Sequence, residues 1–154
     1  MRTMLWAASC ALLAGCSAAT HRVSPETMQL ATAPLVCQSA DECALWWQRA
    51  EDWVLRHGSY KVFAVSDSLI ETTGPEGGSS KLAYEITKTV NADGSATIGF
   101  AAYCDSMFGC RPNPWEAGAK FKQFVRSGVE PSPQSEPDSS PSAPSSTDRV
   151  PPPG

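Results

Sequence analysis

From Ala40 to His57 the chain sets Cys43, Trp46, Trp47, Ala50, Trp53 and Val54 at i, i+3, i+4 and i+7 spacing, with Arg49, Asp52 and Arg56 falling opposite. That period is the apolar stripe of an amphipathic helix. Ser39-Ala40-Asp41-Glu42 reads as a capping box at its start, with the Ser39 hydroxyl accepting from the amide at position 42 and Glu42 reaching back to the Ser39 amide. Gly58 stops it. Beyond Gly58 the period changes to two. Tyr60–Val65 reads as a strand, Ser66-Asp67-Ser68 as a turn and Leu69–Thr73 as a second strand. After the loop Gly74–Ser80, Leu82, Tyr84 and Ile86 alternate with Ala83, Glu85 and Thr87, the pattern of a half-buried strand. Asn91-Ala92-Asp93-Gly94 is a hairpin turn, and Ala96, Ile98, Phe100 and Ala102 line one face of the strand that follows. A second helix begins at Asn113-Pro114-Trp115-Glu116, with Asn as N-cap, Pro at the first helical position and an acid in the first turn. Ala117, Phe121, Phe124 and Val125 form its apolar face, and Gly128 ends it.

Helix, three to four antiparallel strands, helix is an α+β two-layer domain spanning residues 37–128, with the tryptophan-rich helix packed on the apolar faces of the strands. The flanks read differently. Residues 17–36 carry no sustained periodicity and are expected to be a tether, with His21 solvated. Residues 129–154 are rich in Pro and Ser and hold almost no large apolar side chain. Such a segment buries too little to offset ordering entropy and is expected to be a disordered tail.

The N-terminus changes the picture. Met1-Arg2-Thr3 is followed by the uncharged run Met4–Leu13. This is the layout of a secretory signal, and the run is too short to span a bilayer. It ends in Leu13-Ala14-Gly15-Cys16. Those four residues resemble the lipobox of bacterial lipoproteins processed by signal peptidase II. The resemblance implies a signal peptide over residues 1–15, cleavage before Cys16, a diacylglycerol on its thiol and a further acyl chain, of the palmitate kind, on its new amino group. It makes residues 16–36 a lipidated cysteine and tether, and makes a membrane the partner of Cys16 through lipid. Cys10 is the poorer candidate, because Ala7-Ala8-Ser9 lacks the large aliphatic residue. Position two of the processed chain is Ser17 rather than Asp, which by the same resemblance places the protein at the outer membrane of a Gram-negative bacterium. The stretch Cys37–Val125, with its CDSMFGC loop, also looks like small uncharacterised Gram-negative lipoproteins, a likeness that supplies no activity.

The full chain has 154 residues and a formal net charge of −4. Without a basic run, nucleic-acid binding has no electrostatic support. Past Cys16 there are four cysteines in two C-x5-C segments, CQSADEC and CDSMFGC. In an exported protein an even set reads as disulfides. Their positions at element boundaries favour the local pairs Cys37–Cys43 and Cys104–Cys110. The crossed alternative would staple the two ends of the domain together and would stabilise more, because its loops are longer. Zinc is disfavoured, since structural sites prefer C-x2–4-C and no histidine lies near either pair.

Groups suited to chemistry are scattered. His57 lies at a helix C-terminus, where a histidine caps carbonyls or packs. GPEGGSSK lacks the Gly-Lys-Ser/Thr ending of a phosphate loop, and NADGS lacks calcium-loop spacing. Asp41-Glu42 and Glu51-Asp52 are helix neighbours whose side chains do not face each other. No catalytic residue, cofactor or metal is expected. The aromatic pattern is more informative. Trp115 projects from nearly the opposite side of its helix to Phe121 and Phe124, and Leu45 and Leu55 lie off the stripe of the first helix. Met107 and Phe108 sit in a loop that a disulfide would hold rigid. Together Met107, Phe108 and Trp115 make a candidate partner patch; the rival reading is that Phe108 and Trp115 plug an open end of the two layers. The expected function is a non-enzymatic, anchored envelope lipoprotein that acts by binding, with an envelope protein as partner. The alternative is a periplasmic small-molecule or glycan binder.

Overall fold

The longest strand pair explains the rest of the sheet. In the computed structural model, which describes residues 23–132, β4 (Ala83–Val90) and β5 (Ala96–Tyr103) pair antiparallel from Ala83↔Tyr103 to Val90↔Ala96. The turn between them is the expected one. Gly94 adopts φ 84°, its amide donates to the Asn91 carbonyl at 3.1 Å, and the Asn91 amide donates to the Ser95 carbonyl at 2.8 Å. The Asp93 carboxylate accepts from the Ser95 hydroxyl and amide, which holds its carboxyl below the usual carboxylate range. On the far side of β4 lie β3 (Leu69–Thr72) and then β2 (Val62–Val65); on the far side of β5 lies the two-residue β1 (Val36–Cys37). The result is a five-stranded antiparallel sheet in the order β1-β5-β4-β3-β2, one strand more than the pattern predicts.

This register sorts the side chains. Tyr84 faces Ala102 across the ladder, and Ile86 faces both Phe100 and Ile70; these share the face covered by helices. The other face carries Glu71 opposite Glu85, Thr87 opposite Gly99 and Thr89 opposite Thr97. The layer over the first face is α2 (Ala40–His57) and α3 (Pro114–Ser127), with the bounds their caps and periods predict. The Ser39 hydroxyl accepts from the Glu42 amide as the capping box requires. The reciprocal bond is shifted by one residue: the Glu42 carboxylate accepts from Gln38 rather than Ser39. Trp53 of α2, 2% exposed, sits where helix, sheet and second helix meet. Its ring lies edge-on to Tyr84 at 5.2 Å, Phe100 at 5.8 Å and Phe121 at 5.3 Å, and stacks on His57 at 4.5 Å. Edge-to-face contacts of this kind add to the burial of aromatic area. The Trp53 indole N–H has no acceptor among the described residues, and burial pushes the Tyr84 hydroxyl up to about 12.

The expected tether is overturned over its second half. Residues Pro25–Thr32 form a third helix, α1, with Ser24 as N-cap accepting from the Thr27 amide and Pro25 in the first turn. The helix is short, and its stability comes from α3. The Lys122 ammonium donates to the carbonyls of Ala31 and Ala33, at 2.5 and 2.7 Å, and Arg126 donates to Pro34 at 2.8 Å. These cations satisfy carbonyls that a helix C-terminus leaves unpaired. Gly118 of α3 permits the approach, since a Cβ there would lie 3.3 Å from the Phe100 ring and 3.7 Å from the Ala31 Cβ. Leu35 follows, 1% exposed, and its carbonyl accepts from the Ile98 amide on β5. The domain therefore begins near Ser24 rather than at Cys37. Its other end also extends, for Glu130, expected in the tail, pairs with Arg56 at 3.0 Å. The segment expected as signal, Cys16, His21 and residues 133–154 lie outside the described residues.

The same device closes α3. Arg49 of α2 donates to the carbonyls of Val125 and Arg126. Gly128 then turns the chain in the left-handed region, φ 74°, where a Cβ would meet the Arg49 guanidinium at 2.9 Å.

Two outcomes follow from these contacts. Burial first, and the neighbouring Arg126 charge second, lower the Lys122 ammonium below the usual lysine range, so its two carbonyl bonds are what retain it. Lys122→Met leaves both carbonyls without a donor and lowers unfolding free energy in urea by about 2–3 kcal/mol, whereas the exposed Lys120→Met changes it by less than about 0.5 kcal/mol. Asp93 titrates below its ordinary value of 3.8. Its contribution to the hairpin is thus present above that pH and lost as the pH falls through the lower folded value. Amide protection at Ser95 declines on that acid side in the parent chain, and Asp93→Asn flattens the decline.

Candidate functional site

Four cysteines hold two small loops. Cys37–Cys43 and Cys104–Cys110 lie at disulfide distance, with Cα–Cα separations of 5.1 and 5.6 Å. The local pairing is formed, and the crossed one is not. The first bridge ties β1 to the start of α2 and packs with Ala96 under Trp46. The second closes the loop that leaves β5 before α3 begins.

That second loop is built as a rigid base with an apolar tip. At the base, the Asp105 amide donates to the Ser79 carbonyl and the Arg111 amide to the Ser80 carbonyl, which fastens the loop to the segment just before β4. At the tip, the Gly109 amide donates to the Ser106 carbonyl at 3.2 Å, and the Phe108 amide to the Ser106 hydroxyl at 3.3 Å. Ser106-Met107-Phe108-Gly109 is therefore a turn with Met107 and Phe108 as its two central residues. Both point away from the domain and are 90% exposed. A plug for the sandwich would be buried, so the plug reading does not hold for Phe108.

Trp115 behaves differently. Asn113 caps α3 by accepting from the Trp115 amide at 2.9 Å, which fixes the tryptophan at the first turn. The side chain is 45% exposed. It lines a hollow whose other walls include Ala31 of α1, Phe100 and Ala102 of β5 and Gly118, so the ring stands beside the place where α1 meets the sheet. Phe108 borders a separate hollow with Cys110, Pro112 and Glu116. The three expected patch residues thus lie around one end of the domain without forming a single contact cluster.

Other groups fall into structural roles. His57 donates through Nδ1 to the Trp53 carbonyl at 2.9 Å, as a C-terminal cap, and Nε2 lies 3.6 Å from the Glu130 carboxylate. Among the described residues there is no group of three His, Cys, Asp or Glu side chains placed to hold a metal, and no helix long and apolar enough to cross a membrane. A hollow between α1 and α3, lined by Thr27, Leu30, Glu116, Ala119, Lys120 and Gln123, lies on the side of the domain that the sequence left as tether. Exposed apolar residues that the sequence reading did not single out include Phe63 and Val65 on the edge strand β2. The register of β2 shifts between Val62 and Ala64, and a bulge of this kind breaks the two-residue period that would have placed Phe63.

Comparison with known proteins identifies no relative: no family model, no curated protein and no solved structure matches this chain.

The difference between the exposed tip and the half-covered Trp115 is measurable. Met107→Ala with Phe108→Ala changes unfolding free energy by less than about 0.5 kcal/mol. Trp115→Ala lowers it by about 1–2 kcal/mol, short of the 3–5 kcal/mol typical of a fully buried aromatic.

Proposed function

We propose that this chain is a lipid-anchored envelope protein of the outer membrane, held by acyl chains on Cys16, and that it acts through surface contact rather than catalysis. The observation that carries this reading is Leu13-Ala14-Gly15-Cys16 at the end of an uncharged run behind Arg2. Two disulfide-distance cysteine pairs agree with an oxidising compartment. Several acyl chains at one site give durable anchoring, because each buried CH₂ contributes about 0.8 kcal/mol. The contact surface in this reading is the stapled turn with Met107 and Phe108 at its tip. Large apolar side chains presented on a rigid loop lose little conformational entropy on binding.

Membrane fractionation with intact-mass measurement tests the anchor. The parent chain sediments with outer membranes and carries the added mass of a diacylglycerol and an acyl chain on a mature N-terminal Cys16. Cys16→Ser abolishes both. A chain that keeps residues 1–15, or that is exported without added mass, contradicts the reading.

A further inference from the structure

The surface the stapled turn meets is set by how far the domain can travel from its anchor. This argument rests on the reading of Cys16 as the lipid-bearing residue. Six residues, 17–22, separate Cys16 from the first described residue, Val23, and α1 begins two residues later at Pro25. The Lys122 and Arg126 caps fix α1 to the domain, so none of its length is available as tether. The nine residue steps from Cys16 to Pro25, fully extended, reach about 32 Å at most. A domain of this size has a radius of gyration of about 13 Å. The domain is therefore held within about its own diameter of the lipid surface, near enough for a loop turned toward the bilayer to touch it.

The tip has the chemistry of a shallow membrane contact. Met107 and Phe108 occupy the two central positions of one turn, both 90% exposed, with uncharged Ser106 and Gly109 on either side. Asp105 and Arg111 flank the disulfide at the base, and Glu116 lines the hollow beside Phe108. Half-exposed Trp115 stands at the same end of the domain, and tryptophan favours the level of the lipid headgroups. A protruding two-residue tip is poorly shaped for a stable protein interface, which buries about 800 Å² on each partner. It is well shaped for the boundary between headgroups and acyl chains, which accepts apolar groups to a depth of about 5–10 Å. We infer that the Cys104–Cys110 turn seats the domain on the bilayer that carries its own lipid anchor, with Met107 and Phe108 inserted and Trp115 at the interface. The lipid gives affinity; the turn fixes orientation.

The test uses the full lipidated chain, purified and reconstituted into vesicles of phosphatidylethanolamine and phosphatidylglycerol, with and without brominated acyl chains that quench tryptophan emission on contact. Subtracting the spectrum of a Trp115→Phe variant isolates the Trp115 emission. The expected result is a blue-shifted Trp115 emission that is lost in brominated vesicles. Met107→Asp with Phe108→Asp restores it while leaving the mass of the Cys16 lipid unchanged. If the lipid mass is present and Trp115 emission is unquenched, the turn faces away from the bilayer and the inference is overturned, leaving a protein partner as its target and the anchor intact. If Cys16 carries no lipid mass, the anchoring reading fails, and this inference fails with it.

Discussion

A buried ammonium, that of Lys122, decides what belongs to this domain. An eight-residue helix is too short to hold itself together in water, and α1 makes up the difference by placing its last carbonyls against a cation on another helix. Once that bond is in place, Leu35 enters the core, its carbonyl accepts from β5, and Val36–Cys37 joins the sheet as an edge strand. The first disulfide then follows directly, because Cys37 is delivered beside the first turn of α2. Arg49 repeats the device at the end of α3, so both helix C-termini near the chain ends are closed by cations from other elements.

The rest of the fold answers a one-sided problem. The buried large apolar side chains of β3, β4 and β5, Ile70, Tyr84, Ile86 and Ile98, share one face, and the helices on that face must cover them with few residues. Trp53 does most of this, touching Tyr84, Phe100 and Phe121 edge-on from the C-terminal part of α2. A single large ring at a three-way junction gives much buried area for little side-chain entropy. It leaves an indole N–H without an acceptor among the described residues, and an unpaired buried donor of this kind typically costs about 1–3 kcal/mol. With the interior filled this way, Met107 and Phe108 have no place in it, and their exposure on a stapled turn is a property of the surface.

The two long helices were legible because cap, period and stop agree at each end: Ser39 and Gly58 for α2, Asn113 and Gly128 for α3. The β4–β5 hairpin was legible for the same reason, through Asn91–Gly94 and strict alternation. What escaped was nonlocal. Ser24-Pro25-Glu26 is a helix start, but the bonds that hold the helix come from Lys122, 91 and 89 residues away from the carbonyls it caps, and no period in the sequence carries that information. Missing α1 also hid the surroundings of Trp115, which shares a hollow with Ala31. The tip of the 104–110 loop was legible, since flanking cysteines and a glycine define a closed turn. Phe63 was not, because the bulge in β2 removes the alternation on which its orientation would be read.

The measurement that bears most directly on this account is native-state hydrogen exchange at α1. The amides of Met28 and Ala33 donate to Ser24 and Gln29 within the short helix. If α1 is part of the domain, these amides exchange as slowly as those of the α3 residues that hold it, opening only with the cooperative unit they share. Exchange at the rate of a free peptide, alongside a protected α3, would contradict the account: the segment before Leu35 would be linker, and the short reach from Cys16 would no longer hold.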